Sequence, residues 1–300
     1  MLYLILGILF NVAIFIAFRT FAKFGIRTLP AIVVNYYVCV ITGLIFLGNV
    51  EGIPALLSKE NQWLYFAMLL GVIFIFTFYM MAVTTQRLSV TVSSIAAKMS
   101  LAIPVIFSLF IFEIESKPFN GLNYLGILLA FVAIYLSSIK KKEKPDELAV
   151  KNWGLLLLPV GVFTCSGIID TTINYTTYRY LTDAEAAIFP LVIFFVAGLI
   201  GTGLVAVRRQ KIGLKEFIGG IGLGIPNYFS IYFIVKGLAA FENNGAFFYP
   251  ILNINIILFS SLFAIILFKE KLLAANKIGL GLAVLAIFLI SYQEIFAYFS

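Results

Sequence analysis

The chain has no histidine anywhere in its 300 residues, and only two cysteines, Cys39 and Cys165. The first absence removes the commonest general base and the commonest metal ligand. Serine–histidine catalysis is therefore closed to it. The two cysteines fall inside long apolar runs, where a thiol behaves as a small apolar side chain rather than as a ligand or half of a disulfide. Charge is scarce as well: Asp, Glu, Lys and Arg make up 12% of the chain, against roughly a quarter in soluble domains. Of the three aspartates only Asp170 lies deep in an apolar run, so an intramembrane aspartate pair is absent and a membrane-embedded enzyme is the weaker reading. No His/Cys cluster could hold zinc and no phosphate-cradling Gly-Lys loop appears. The expectation is therefore no catalytic residue, no cofactor and no metal.

What is present is apolar: 62% of the residues are hydrophobic, more surface than a water-soluble fold can hide. These residues fall into blocks of about 20, the length at which a helix rising ~1.5 Å per residue crosses a ~30 Å hydrocarbon layer. Backbone polar groups in lipid must be satisfied within the segment or in a closed barrel, and the alternating pattern of a barrel is missing. The fold class expected is all-α, a polytopic membrane protein with ten transmembrane helices. The spans read Leu2–Phe18, Ala31–Leu47, Trp63–Thr85, Val90–Phe112, Gly121–Ile139, Trp153–Tyr178, Ala184–Val207, Leu214–Val235, Gly245–Phe268 and Ala275–Phe296. The first block has no basic n-region and no small-residue cleavage site, so it reads as a retained span rather than a signal peptide.

Basic residues accumulate on the cytoplasmic side of a membrane protein. The loops after the odd-numbered spans hold sixteen: Arg19, Lys23, Arg27, Arg87, Lys140, Lys141, Lys142, Lys144, Lys151, Arg208, Arg209, Lys211, Lys215, Lys269, Lys271 and Lys277. The other side holds Lys59, Lys117, Arg179 and Lys236. This places both termini on the non-cytoplasmic side. It also accounts for the net charge of +7 without a nucleic-acid partner, since the charges are scattered over short loops.

The most polar loop, 140–152, falls near the middle of the chain. It reads as a cytoplasmic linker between a first five-helix repeat, 1–139, and a second, 153–300. A gap-free offset of 155 superposes Ala31 on Ala186, Gly43 on Gly198, Gly48 on Gly203, Glu115 on Glu270 and Gly126 on Gly281. Five spans is an odd number, so the second repeat enters from the opposite side. Such inverted repeats commonly build secondary transporters around a site near the bilayer midplane.

Two stretches carry a resemblance. Ser93–Gly126, SSIAAKMSLAIPVIFSLFIFEIESKPFNGLNYLG, and Phe248–Gly281, FYPILNINIILFSSLFAIILFKEKLLAANKIGLG, each combine a proline-bearing helix, an acidic residue at its end and a glycine early in the next helix. In this, and in length and ten-span layout, the chain resembles the drug/metabolite transporter (DMT) superfamily of EamA type. The resemblance implies export or exchange of amino acids or related metabolites through a central cavity, in a bacterial inner membrane. A lipid or lipid-linked sugar flippase of the same fold is the alternative it leaves open. A monomer is expected, with the bilayer and a small-molecule substrate as partners.

An ionisable group inside a span costs ~2.5 to 3.5 kcal/mol on insertion scales and tends to face a cavity or a partner. Lys98 is such a group, on a helical face with Ser94 and Thr91; Asp170 is another, with Ser166, Gly167, Asn174 and Thr177. Lys98 suits a substrate carboxylate or phosphate. Asp170 suits an amine or a transported proton. The structural alternatives are a lysine bonded to carbonyls and an aspartate bonded to hydroxyls. Regular helices place the two ~12 Å apart in depth. The 155 offset maps Lys98 onto Asn253, which shares a face with Tyr249 and Pro250. The candidate substrate-binding set is Lys98, Asn253, Asp170, Asn174, Ser94 and Tyr249. Asn11, Asn35 and Asn227 are weaker candidates, since buried amides also join helices. Glu115 and Glu270, at span ends, read as solvated or cap-like.

Overall fold

The computed structural model describes residues 1–47, 61–104, 120–139, 153–241 and 245–299. The expected linker, 140–152, and the later part of the expected fourth span lie outside the described residues, as does Glu115. Ten helices occupy the rest: α1 Leu2–Phe24, α2 Thr28–Leu47, α3 Trp63–Arg87, α4 Val90–Met99, α5 Gly121–Ser137, α6 Trp153–Tyr180, α7 Asp183–Val207, α8 Leu214–Ala240, α9 Gly245–Phe268 and α10 Ala274–Phe299. No strand occurs among the described residues. Eight of the helices are long and apolar enough to cross a membrane; α4 and α5 are shorter. The protein is an all-helical integral membrane protein.

The helices begin and end where local chemistry directs. Ser89 caps α4 by accepting from the Val92 amide, and Thr182 with Glu185 forms a reciprocal capping box on α7. Gly25 closes α1 in the left-handed region, φ 63°, which glycine adopts without a Cβ clash. Several helices outrun the apolar windows of the sequence. α1 continues to Phe24 through Arg19 and Lys23, because a helix need not stop where the hydrocarbon does.

Polar contacts tie the helix ends into two sets. At one end Arg19 donates to the carbonyls of Thr85 and Gln86 and lies 3.7 Å from Glu270, whose Oε1 accepts from the Val90 amide at the start of α4. Arg27 pairs with Glu216 at 2.9 Å, and Gln86 bonds Thr28. At the other end Trp63 Nε1 donates to Glu185 at 2.8 Å, beside a stack of Phe66 with Tyr175 and Tyr180. The described lysines and arginines follow this division. Arg19, Lys23, Arg27, Arg87, Arg208, Arg209, Lys211, Lys215, Lys269, Lys271 and Lys277 mark the first end; Arg179 and Lys236 mark the second.

Helix neighbours recur in pairs. α1 packs on α8 as α6 packs on α3; α1 on α9 as α6 on α4; α2 on α8 as α7 on α3. The tightest seam is α5 against α10. Asn123 Oδ1 accepts from the Asn120 amide while its Nδ2 donates to the carbonyls of Leu289 and Ile290. Asn276 repeats this in reverse: Oδ1 accepts from the Leu273 amide, and Nδ2 donates to Leu136, Ser137 and Ile139. The glycines follow suit. A Cβ on Gly126 would stand 2.9 Å from Ala286 O and from Ile290 N; one on Gly279 would stand 2.9 Å from Ala133 O and 2.7 Å from Ser137 N. Every pair in this seam is 153 residues apart, so the alignment of Gly126 with Gly281 is corrected: Gly279 is the counterpart, and Gly281 touches nothing within 4 Å. The 155 offset does not hold between α2 and α7 either: Gly71 meets Ile193 O and Val196 as Gly224 meets Asn35 O and Val38, which sets those two helices 158 residues apart.

Candidate substrate site

The centre of the bundle is built around an interruption in α4. Proline lacks an N–H and its ring crowds the carbonyl four residues earlier, so Pro104 prevents a helical bond to Ser100. The helix stops at Met99, turns at Ser100 and Leu101, and resumes over 102–104, with the Ile103 amide bonding back to Ser100 O at 2.9 Å. Non-helical backbone at membrane depth is tolerated where it is buried in protein or lines a cavity. Such broken helices form the binding sites of many transporters.

The turn brings Ser100 to Asp170 of α6; its hydroxyl lies 3.1 Å from Asp170 Oδ2 and 2.7 Å from Ala97 O, so one proton is shared between the two acceptors. Gly167 makes that approach possible: a Cβ there would fall 2.6 Å from Ile103 Cβ and 2.3 Å from its Cδ1. The ~12 Å depth separation expected for Lys98 and Asp170 is thereby corrected. It assumed an unbroken α4, whereas Asp170 reaches the residue two places beyond Lys98. The expectation of no direct ion pair stands, because the only ion pairs within 4.0 Å among the described residues are Arg19–Glu270 and Arg27–Glu216.

Lys98 points its ammonium toward α1 and donates to Asn11 Oδ1 at 3.1 Å; Asn11 in turn donates to Gly7 O. An ammonium has three donors and a carboxylate about four acceptor positions. One donor of Lys98 and one oxygen of Asp170 are matched by protein among the described residues. The two groups face one another electrostatically without touching. Asp170 sits among packed helices yet is exposed to a water-sized probe, as are Asn174 and Thr177 one and two turns on. These three make a polar stripe running from the site toward the Trp63–Glu185 end.

From α9, Tyr249 stands close enough to Asp170 to interact electrostatically. Asn253, one turn further, is 8% exposed and its amide has no hydrogen-bond partner among the described residues. Both lie on the helix that packs against α4 and α1. Ser94 is placed differently. It is fully buried and its hydroxyl bonds Thr91 O in its own helix at 3.1 Å, one turn toward the basic end from Lys98. The structure thus places Lys98 on Asn11, Asp170 against Ser100 and Tyr249 within electrostatic reach of Asp170, while Ser94 is buried with its hydroxyl bonded inside its own helix.

Two residues of the site stand out less in the sequence. Asn11 ranked with Asn35 and Asn227, yet those two bond each other across α2 and α8 at 3.1 Å, whereas Asn11 holds Lys98. Ser100 carried no signal of its own; the proline four residues later was the clue.

No known protein-family profile matches the chain. An uncharacterized protein of Haemophilus influenzae is similar: 25% identical over 298 residues, covering 97% of this chain and 98% of the relative. A protein of known crystal structure shares the fold. It superposes with a TM-score of 0.62 over 97% of this chain and 96% of its own, at 12% identity. These similarities extend over nearly the whole chain, so the overall fold is found elsewhere.

Proposed function

We propose that this protein is a secondary transporter, an exporter or exchanger of small zwitterionic metabolites such as amino acids, working by alternating access around the space between Lys98 and Asp170. One observation carries the reading: the opposite charges of Lys98 on α4 and Asp170 on α6 are unpaired with each other, and each is only partly satisfied by protein among the described residues. A buried charge lacking its partner costs several kcal/mol. A substrate with a carboxylate for Lys98 and an amine for Asp170 would supply both missing partners at once. Tyr249, Asn174 and Asn253 offer it further hydrogen bonds.

The paired helix contacts and the reciprocal α5–α10 seam favour ten transmembrane helices in two inverted five-helix repeats, 1–139 and 153–300, joined by the linker 140–152. With the DMT-like, EamA-type stretches quoted above, this makes membership of that superfamily our reading. The division of basic residues favours a cytoplasmic linker with both termini on the outer side of a bacterial inner membrane. The polar stripe through Asn174 and Thr177 then leads outward, while the Arg19–Glu270–Val90 contacts close the cytoplasmic end. A single chain carrying both repeats suffices for the pathway, so we take the unit to be a monomer.

The test is exchange in liposomes of a labelled panel of amino acids, amines, carboxylates and sugars, comparing wild type with Lys98→Met at equal protein content. Exchange confined to zwitterions and abolished in the variant is the expected result. A wild-type protein that moves none of the panel, or a variant with wild-type kinetics, would refute the proposal.

A further inference from the structure

A groove of about 620 Å³ runs along the outer seam between α1 and α8. Ala13, Ala17 and Phe24 line it from α1, Gly219 and Gly222 from α8, and Lys215 stands at one end. It is not a branch of the central site. At 100° per residue, Asn11 lies about 150° around α1 from the mean direction of the groove-lining positions, so Lys98 and the groove are on opposite faces of that helix.

Its dimensions fit one leaflet. Ala13 to Phe24 is eleven residues, about 16 Å at ~1.5 Å per residue, close to half of a ~30 Å hydrocarbon layer. Phe24 and Lys215 are at the basic end of the bundle, and the groove stops near mid-depth at Ala13 and Gly222. Gly222 leaves real room, since a Cβ there would meet nothing within 4 Å. Lys215 lines the groove itself and is exposed, as are Lys23, next to the lining residue Phe24, and Lys211, just ahead of α8. The nearest acid, Glu216, is already bound to Arg27 at 2.9 Å, which leaves the lysines without a compensating anion.

We infer that this groove is a binding site for an anionic phospholipid, one acyl chain lying between α1 and α8 and the headgroup phosphate held by Lys215 with Lys23 and Lys211 nearby. An apolar slot of this volume suits a lipid-sized chain, and basic pockets between transmembrane helices recognise anionic headgroups. A zwitterionic lipid would fill the slot equally well but lacks the net charge that the lysines select.

The test uses the full chain, delipidated in detergent and then offered phosphatidylglycerol or phosphatidylcholine with identical acyl chains, with retained lipid read by native mass spectrometry. Wild type should retain phosphatidylglycerol several-fold more than phosphatidylcholine. Lys215→Gln, at an exposed position that folding does not depend on, should abolish that preference. Gly222→Leu, which fills open space, should lower retention of both lipids at an unchanged elution volume. Equal retention of the two lipids by wild type, or an undiminished preference in Lys215→Gln, would overturn the inference. So would a wild-type dimer that Gly222→Leu converts to a monomer, which would assign the groove to a second copy.

Discussion

Asn123 and Asn276, on the α5–α10 seam, direct their amides to carbonyls of the partner helix, whereas Asn253 and Asn174, in the centre, find no protein partner among the described residues. The seam has glycines where backbones meet; the centre has a broken helix, an exposed carboxylate and a lysine with donors to spare. Both regions place polar groups at membrane depth. The seam satisfies them internally and is therefore fixed, while the centre leaves them incomplete and so needs water or a ligand. That difference separates a structural polar group from a functional one more reliably than residue type does.

The sharpest way to break the comparison is at the seam. Gly279→Leu drives a side chain into the backbone of Ser137 and Ala133 and should abolish folded, monodisperse protein on size exclusion. Gly281→Leu, two residues away in open space, should express normally. Equal yields of the two would overturn the 153-residue register. Next in size, Asn276→Ala strips three carbonyls of a donor and should cost about 1 to 3 kcal/mol of stability, seen as a lowered melting temperature, with exchange per folded molecule unchanged.

The centre should respond in the opposite sense. Pro104→Ala allows α4 to run unbroken past Ser100, so the melting temperature should rise while exchange falls several-fold; a rise in both would separate the break from function. The smallest effect belongs to Glu270, outside the spans. Burial raises its carboxyl pKa above the usual range, with the Val90 amide and Arg19 pulling it back. A carboxyl raised on folding contributes stability that is full below its unfolded pKa of ~4.3 and is lost as pH rises through the folded value. Glu270→Gln should flatten that loss in melting curves as pH rises above about 4.3. An unchanged slope would show that other groups set it.

Much of this was legible in the chain. Apolar blocks and breakers located the helices, because lipid forces each span to satisfy its own backbone. Lys98 and Asp170 stood out because charge inside a span is costly. Their closeness was not legible, since it depends on how α4 turns after Met99 and how near Gly167 lets α6 come. The repeat register suffered similarly. A gap-free comparison cannot serve both regions: α2 and α7 answer each other at 158 residues, whereas at the other seam Asn123–Tyr124–Leu125–Gly126 answers Asn276–Lys277–Ile278–Gly279 at 153. Ser94 shares a helical face with Lys98 in projection, yet it is fully buried and its hydroxyl bonds Thr91 O in its own helix.

The central claim is that Lys98 and Asp170 read the two ends of one zwitterion. It is tested most directly by competition binding of a transported zwitterion, its amine-only analogue and its carboxylate-only analogue to wild type, Lys98→Met and Asp170→Asn. The account predicts that Lys98→Met loses the carboxylate-only analogue and keeps the amine-only one, that Asp170→Asn does the reverse, and that both lose the zwitterion. Wild-type affinities for all three ligands in both variants would contradict it.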